Sequence, residues 1–179
     1  MHPCIDMMNK KKRGQVWIET VIYTLIALTI MGIVLGIVSP ELNKIKDRAS
    51  IRQSADVLNE IDGRINDIKF ISGNSRNMKI KITRGKLIID GEKDMVQIVI
   101  DDSSYAVSEL GLKVYEGNII ENTTAKGKKY MVTMTLDYEN KLNITNKGMD
   151  GLKTFQYANV PYKISIINNG GNVTDIDFF

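Results

Sequence analysis

The sequence predicts an α+β protein, with a long kinked N-terminal helix followed by an antiparallel β-sheet or small β-sandwich head. Three changes of pattern along the 179 residues support this fold class. Residues 16–38 are almost wholly apolar, residues 41–70 repeat apolar side chains at three- and four-residue steps, and later segments alternate apolar with polar residues. The predicted division is therefore a leader at 1–14, a helix at 15–72 and an extracellular head at 73–179.

The net charge, the one cysteine and the one histidine of the chain all fall in the leader. Residues 1–14 contain four bases and one acid, which account for the whole net charge of +3. A basic surface for nucleic acid is therefore not expected on the rest of the chain. Cys4 and His2 also lie in the leader, so the remainder lacks the residues for disulfides, Cys/His zinc sites or His-activated nucleophiles. We expect no enzyme activity, no cofactor and no metal site.

The apolar segment fits a membrane helix. There is no charged residue from Thr20 to Ser39. A helix over 16–38 would be about 35 Å long, and a bilayer core is about 30 Å thick. The preceding bases favour a cytoplasmic N-terminus, with everything after Pro40 outside. A cleaved secretory signal is the alternative, but GIVSPEL ends the segment with bulky residues where small ones would be needed, which favours a retained anchor.

Glu19 is the unusual residue at the start of this segment. A carboxylate at the centre of a membrane helix costs about 3 kcal/mol on insertion scales, and less near an interface. Glu19 is thus either a tolerated interfacial residue or a group that awaits a positive partner. The nearest candidate in the sequence is an amine made by cutting after Gly14, beside a basic run.

The stretch 10-KKKRGQVWIE-19 resembles the leader and mature start of type IV pilins. The resemblance implies that a membrane-embedded prepilin peptidase cuts between Gly14 and Gln15 on the cytoplasmic side, which makes Glu19 the fifth mature residue. The bases that the peptidase would recognise are Lys11, Lys12 and Arg13.

The archaeal form of this start is the nearer one. Bacterial pilins usually begin F-T-L-I-E, which shares only Ile18 and Glu19 with this chain. The archaeal pattern Q-x-S-x-E matches Gln15 and Glu19 and has Trp17 where serine is usual. Archaellins generally lack this glutamate, so the resemblance, which covers about residues 10–40, favours an archaeal pilin.

The resemblance implies a structural subunit of an extracellular type IV pilus-like filament. The precursor would sit in the cell membrane and polymerise with itself into a helical homopolymer, served by the prepilin peptidase, an assembly ATPase and a membrane platform. Glu19 of one subunit would pair with the α-amine of Gln15 in its neighbour, provided that amine is free or methylated rather than cyclised. Gly32 and Gly36 have the small-x-x-x-small spacing of close helix contacts, although glycine is common in membrane helices anyway.

Two patterns describe the rest of the helix. Ser39, Pro40 and Glu41 have the order of a cap, a first helical residue and a first-turn acid, which predicts a kink or short break. An amphipathic stripe follows and should pack on the head, with a coiled coil as the alternative. Its apolar members are Leu42, Ile45, Ala49, Leu58, Ile61, Ile65 and Ile68.

The head should contain seven to nine short strands. Alternation is clearest in MKIKI, YMVTMTLD and YKISI, and turn signals such as Asp90-Gly91 and Gly117-Asn118 separate the runs. Three sequons make glycosylation a possibility, at Asn122, Asn143 and Asn172. Asn122 and Asn172 are expected to be more exposed than Asn143, which falls in a predicted strand.

Two other functions stay open on the sequence alone. The main alternative is a filament-free, signal-anchored surface protein whose head binds a ligand such as a carbohydrate. A membrane-anchored hydrolase is more remote, because no second motif accompanies the acids. The acids that could bind calcium are Asp90, Glu92, Asp94, Asp101 and Asp102, but no complete ligand loop is present, so solvated turns are the simpler interpretation.

Overall fold

The fold is α+β, as predicted. A computed structural model describes the backbone of residues 4–179 and the side chains of residues 16–179. One helix, α1 (Cys4–Ile68), precedes all the strands. The chain divides into two compact units, of which the first ends at Asn43 and the second spans Lys44–Phe179. The second unit therefore includes the last part of α1 together with the head.

The described chain contains ten strands rather than seven to nine. They are β1 (Ser75–Ile80), β2 (Lys86–Asp90), β3 (Met95–Ser103), β4 (Lys113–Glu116), β5 (Ile119–Lys126), β6 (Lys129–Asp137), β7 (Asn143–Thr145), β8 (Leu152–Gln156), β9 (Tyr162–Gly170) and β10 (Val173–Phe178). One sheet has the order β1-β9-β10-β7 and the other has the order β4-β5-β6-β3-β2-β8. Neighbouring strands are antiparallel except β7 and β10, which are parallel. Side chains from both sheets and from α1 form one buried core.

The predicted break at the proline is wrong. Helix α1 continues through Pro40. The Ser39 hydroxyl donates to the Leu35 carbonyl at 2.8 Å, so Ser39 lies inside the helix and does not cap a new one. Proline removes one helical hydrogen bond and crowds the preceding turn, so a kink of the axis at Pro40 remains a prediction.

The stripe that packs on the head starts later than predicted. Leu42, Ile45 and Ala49 are exposed, which corrects their assignment to the buried face. The buried positions recur at alternating steps of four and three, so they lie on one helix face. They are Asp47, Ile51, Ser54, Leu58, Ile61, Ile65 and Ile68. Each of the five aliphatic members contributes about 1.5–3 kcal/mol by burial, which fixes this part of α1 to the head.

A buried amide ends the helix at Ile68 rather than at residue 70 or 72. The Asn168 side chain donates from Nδ2 to the Ile68 carbonyl at 2.8 Å. The N–H of Gly73 donates to the Asn168 carbonyl at 2.7 Å. The Ile68 carbonyl also accepts from the N–H of Ile71 at 3.1 Å, so Asn168 adds a second bond at the helix end and holds the turn that leads into β1.

Candidate functional site

The apolar part of α1 is fully exposed in this chain. Every described side chain from residue 16 to residue 46 is solvent-exposed, and none of the apolar window is buried. This confirms the prediction of a long N-terminal helix whose length and apolar composition suffice to cross a membrane. Exposure of so much apolar surface requires either lipid or other protein around it.

Hydroxyl groups within this segment are satisfied by the helix itself. Thr20 donates to the Val16 carbonyl at 2.9 Å, and Thr29 donates to the Leu25 carbonyl at 2.7 Å. Such bonds let hydroxyl side chains enter an apolar environment at low cost. The Glu19 carboxylate differs, since it makes no ion pair or side-chain hydrogen bond with any described residue.

The two glycines of the segment have open surroundings. A Cβ built on Gly32 or on Gly36 would meet nothing within 4 Å. The spacing therefore serves no contact inside the described chain, and a role in approaching a neighbouring helix stays a prediction.

The predicted cleavage site lies outside the described side chains. This applies to Lys11, Lys12, Arg13, Gly14 and Gln15, for which only the helical backbone is described. The cut after Gly14 and the role of the Gln15 amine therefore remain predictions.

The sequons are placed differently from expectation. Asn122 lies inside β5, half-buried, and its side-chain oxygen is enclosed without a hydrogen-bond partner among the described residues. Asn143 is exposed at the start of β7, and Asn172 is exposed in the turn before β10. The expectation that Asn122 is better exposed than Asn143 is therefore wrong. The parallel pairing of β7 and β10 places the two exposed asparagines near each other, since the N–H of Asn143 donates to the Asn172 carbonyl at 2.8 Å.

Three of the five acids considered for calcium make hydrogen bonds or an ion pair with other groups of the head. Asp90 accepts from the N–H of Lys93 at 3.2 Å, and Asp94 accepts from the N–H of Ile144 at 2.8 Å. Asp101 pairs with Lys126 at 3.1 Å. Within the part of the chain that the structure describes, no three Asp, Glu, His or Cys side chains gather as metal ligands. These carboxylates therefore act as turn and surface partners.

A buried carboxylate joins α1 to the head. Asp47 is 4% exposed and accepts hydrogen bonds from the Arg84 guanidinium and, at 2.5 Å, from the N–H of Ser104. Arg84 also donates to the Asp102 carbonyl at 2.8 Å. Asp102 has a left-handed φ of 58°, where the pairing of β3 with β6 is irregular. The irregularity thus positions the groups that neutralise Asp47.

A second helix carboxylate, beside the buried face, also contacts the head. Asp62 accepts from the Tyr138 hydroxyl at 2.7 Å and from the Asn118 amide at 2.7 Å. Burial, and then the bond to Asp62, raise the pKa of Tyr138 well above its ordinary value of 10. Tyr138 therefore stays protonated and serves as a donor at all physiological pH values.

A cavity lies beside this contact. It has a volume of about 740 Å³. Asp62, Asn118 and Lys141 contribute polar groups, while Phe70 (84% exposed) and Tyr115 (69% exposed) contribute aromatic ones. Aromatic faces with neighbouring amide and carboxylate groups suit a polar organic ligand.

A smaller cavity of about 490 Å³ lies nearer the start of the buried helix face. It is lined by Arg48, Arg52, Glu116 and Glu121. Burial, and then the nearby Glu116 charge, raise the pKa of Glu121 above its ordinary value. The Arg48 guanidinium lies 5.6 Å from the centre of the Tyr105 ring, which orders one wall of the cavity.

Sequence reasoning missed both helix carboxylates that contact the head. Asp47 occupies a position of the buried stripe, four residues before Ile51. A charge on an apolar helix face is the signal that could have identified it. Asp62 flanks the stripe beside Ile61, and its partners are far away in sequence, Asn118 in the turn between β4 and β5 and Tyr138 just after β6, so no local pattern indicates that contact.

Comparisons with protein-family models, curated proteins and solved structures give no match to this chain.

Proposed function

We propose that this protein is a structural subunit of an extracellular type IV pilus-like filament of archaeal type, made as a membrane precursor and cut between Gly14 and Gln15. The observation that carries the proposal is the exposed, apolar helix with one carboxylate, Glu19, that has no described partner. Its position five residues after Gly14 is the one that would meet a new α-amine in a neighbouring subunit. In this proposal the chain is a substrate of a peptidase and not an enzyme.

The energetics favour assembly once the leader is removed. In lipid the Glu19 carboxyl is unmatched, whereas in a filament the Gln15 amine of the next subunit would neutralise it. Exposed glycines at 32 and 36 would allow close helix approach, and Pro40 would kink the axis where the apolar segment ends. Assembly would need the prepilin peptidase, the assembly ATPase and the membrane platform.

The described chain also separates two tasks along one helix. Residues 16–46 have exposed side chains, while the face from Asp47 to Ile68 is buried on the head. The exposed segment is free for other subunits, and the buried segment fixes the helix to its own head. Outside the cell, the exposed Asn143 and Asn172 would be the better acceptors of glycans, and the head would meet the surface to which the filament adheres.

Substitution of Glu19 tests the proposal. We expect Glu19→Ala to leave the protein in the membrane and to reduce filaments recovered from the cell surface at least about tenfold, because a matched buried charge is worth more than about 1.4 kcal/mol. The control is Glu109→Ala, which removes an exposed head carboxylate. Equal filament yields from the two variants would contradict the role of Glu19.

The cavity beside Phe70 and Tyr115 favours a second candidate function, a filament-free surface protein that binds carbohydrate. Aromatic rings and amide donors around about 740 Å³ suit a sugar. Full-length protein in detergent can be applied to a panel of oligosaccharides, with Tyr115→Ala and the exposed Tyr157→Ala compared. Binding that only Tyr115→Ala abolishes, by a protein that retains residues 1–14, would favour this candidate over the filament subunit.

A further inference from the structure

The six-stranded sheet is open at both edges. Strand β4 forms one edge and β8 forms the other, and all neighbours in between are antiparallel. Because the number of strands is even, β4 and β8 run in opposite directions. A β8 edge that meets the β4 edge of a second copy in the same orientation therefore continues the antiparallel alternation.

These two edges carry apolar side chains, unlike the edge of the other sheet at β1. Near β4, Leu112 is 55% exposed and Tyr115 is 69% exposed, while Leu152 in β8 is 64% exposed. Strand β1 instead exposes Arg76 and Lys79, the kind of charge that protects an edge from pairing. Charged side chains also occur at the edges of the six-stranded sheet, Lys113 and Glu116 in β4 and Lys153 in β8, but there they lie beside the exposed apolar side chains.

Two properties limit how the edges can pair: the face of the sheet on which each side chain lies, and the direction of each backbone hydrogen-bonding group. Val114 and Glu116 lie opposite the buried Glu121 and Ile119, so they belong to the core face of the sheet. In β8 the core-face residues are Lys153 and Phe155, which lie opposite the buried Ile89 and Leu87. A second copy in the same orientation must place core-face residues opposite each other.

The directions of the backbone N–H and C=O groups lead to the same set of allowed pairings. Tyr157 donates to the Gly85 carbonyl, and bonds alternate along an antiparallel ladder, so the backbone groups of Thr154 point away from β2. In β4, Glu116 flanks the two-residue turn Gly117-Asn118 and faces β5, so the backbone groups of Tyr115 point outward. Pairing Tyr115 with Thr154 joins two outward-facing residues.

Charge selects one register among those in which core-face residues and outward-facing backbone groups lie opposite each other. With Tyr115 opposite Thr154, Glu116 lies opposite Lys153 and Val114 lies opposite Phe155. Neither Glu116 nor Lys153 makes an ion pair within the described part of the chain, and both are exposed. A shift of two residues in either direction would place Glu116 opposite Gly151 or Phe155 and lose the charge pair.

We propose that β4 of one copy pairs antiparallel with β8 of the next, with Glu116 opposite Lys153, so that the six-stranded sheets of neighbouring heads join. The inference rests on the proposed filament function and adds the head surface that its subunits use. The two edges differ, so the contact is heterologous and leaves a free edge at each end, which is the property of an open-ended polymer. Tyr115 would also reach Leu152 diagonally across the new pair.

A disulfide between copies tests the register. Glu116 and Lys153 would form a non-hydrogen-bonded pair, in which side chains approach closely enough for a disulfide. The full chain has one cysteine, Cys4, which the proposed cleavage removes. Filaments of Glu116→Cys/Lys153→Cys, once oxidised, should give a reducible ladder of dimers, trimers and longer species. The control Val114→Cys/Lys153→Cys, shifted by two residues, should give at least about tenfold less of the ladder.

Charge reversal gives an independent measurement. Glu116→Lys places two cations opposite each other and should shorten the filaments or lower their yield several-fold. Adding Lys153→Glu to the same chain restores an opposite pair and should restore the wild-type yield. Failure of the second substitution to restore the yield would contradict the pairing.

The outcomes separate this inference from the proposed function. Wild-type filaments that begin at Gln15 but whose cysteine pair gives no ladder overturn the strand pairing alone. Surface protein that retains residues 1–14 and forms no filaments overturns the proposed function and the strand pairing together.

Discussion

Replacing Asp47 with alanine should loosen the attachment of the helix to the head. The carboxylate is 4% exposed and accepts hydrogen bonds from Arg84 and from the N–H of Ser104. Removing one partner of a buried ion pair costs about 3–5 kcal/mol. The Arg84 side chain is 31% exposed, so water can partly replace the lost carboxylate. We therefore expect the free energy of unfolding to fall by about 2–3 kcal/mol, because the substitution leaves a partly hydrated Arg84 cation and an unsatisfied N–H at Ser104.

Thermal unfolding of the full-length protein in detergent measures this loss. For a unit of this size, about 2–3 kcal/mol lowers Tm by about 5–10 °C. The control is Asp56→Ala, which removes an exposed carboxylate from the same helix. The double variant Asp47→Ala/Arg84→Ala should cost less than the sum of its single changes, because neither charge is then left without its partner. Equal Tm values for Asp47→Ala and Asp56→Ala would refute the reasoning.

Three further changes test other contacts of the head. Tyr138→Phe removes the hydroxyl that donates to Asp62 and should cost about 1–2 kcal/mol in urea unfolding, since the carboxylate keeps its amide donors. Glu121 has a raised pKa in the fold, so the stability it contributes is present at acid pH, below its unfolded pKa, and is lost as pH rises through the raised value. Glu121→Gln should therefore be more stable than wild type at neutral pH, by a margin that closes on acidification. Gly85→Ala should cost at least about 2 kcal/mol more than Gly111→Ala, because both have φ of 77° but only the first would place a Cβ 2.2 Å from the Val99 carbonyl oxygen.

For each of these three predictions, one outcome would contradict it. Tyr157→Phe is the control for the tyrosine, since its hydroxyl contacts only the exposed Asn159, and an equal effect would remove any special role for Asp62. A pH-independent difference between Glu121→Gln and wild type would show that the carboxyl titrates normally. Equal costs for the two glycine variants would mean that β3 can move away from residue 85.

The helical period of α1 was predictable from the sequence, and its contacts with the head were not. The three- and four-residue spacing from Leu58 to Ile68 predicts a buried face correctly, because it depends only on helix geometry. Leu42 and Ile45 fit the same period but are exposed, since period alone does not tell how far the head extends along the helix. Ser39 and Pro40 form a good start signal, yet the helix continues because propensity is weaker than an established run of helical hydrogen bonds.

Strand alternation predicted the β-rich head, while strand pairing depended on contacts far apart in sequence. β1 pairs with β9, and Asn168 of β9 ends the helix, which no local pattern indicates. The exposure of Asn122 and Asn143 was reversed for the same reason. Asn122 lies between two paired strands, whereas Asn143 begins a three-residue edge strand. The roles predicted for Glu19, Gly32 and Gly36 depend only on local spacing and stay predictions, since no contact within the described residues involves them.

Mass spectrometry of the N-terminus of protein recovered from the cell surface would decide whether the mature subunit begins at Gln15. We expect a chain that lacks residues 1–14, begins at Gln15 and has a free or methylated amine able to pair with Glu19. A cyclised Gln15 would agree with cleavage after Gly14 but would contradict the pairing of its amine with Glu19. A surface chain that still begins at Met1 would contradict the filament account and favour an anchored binding protein.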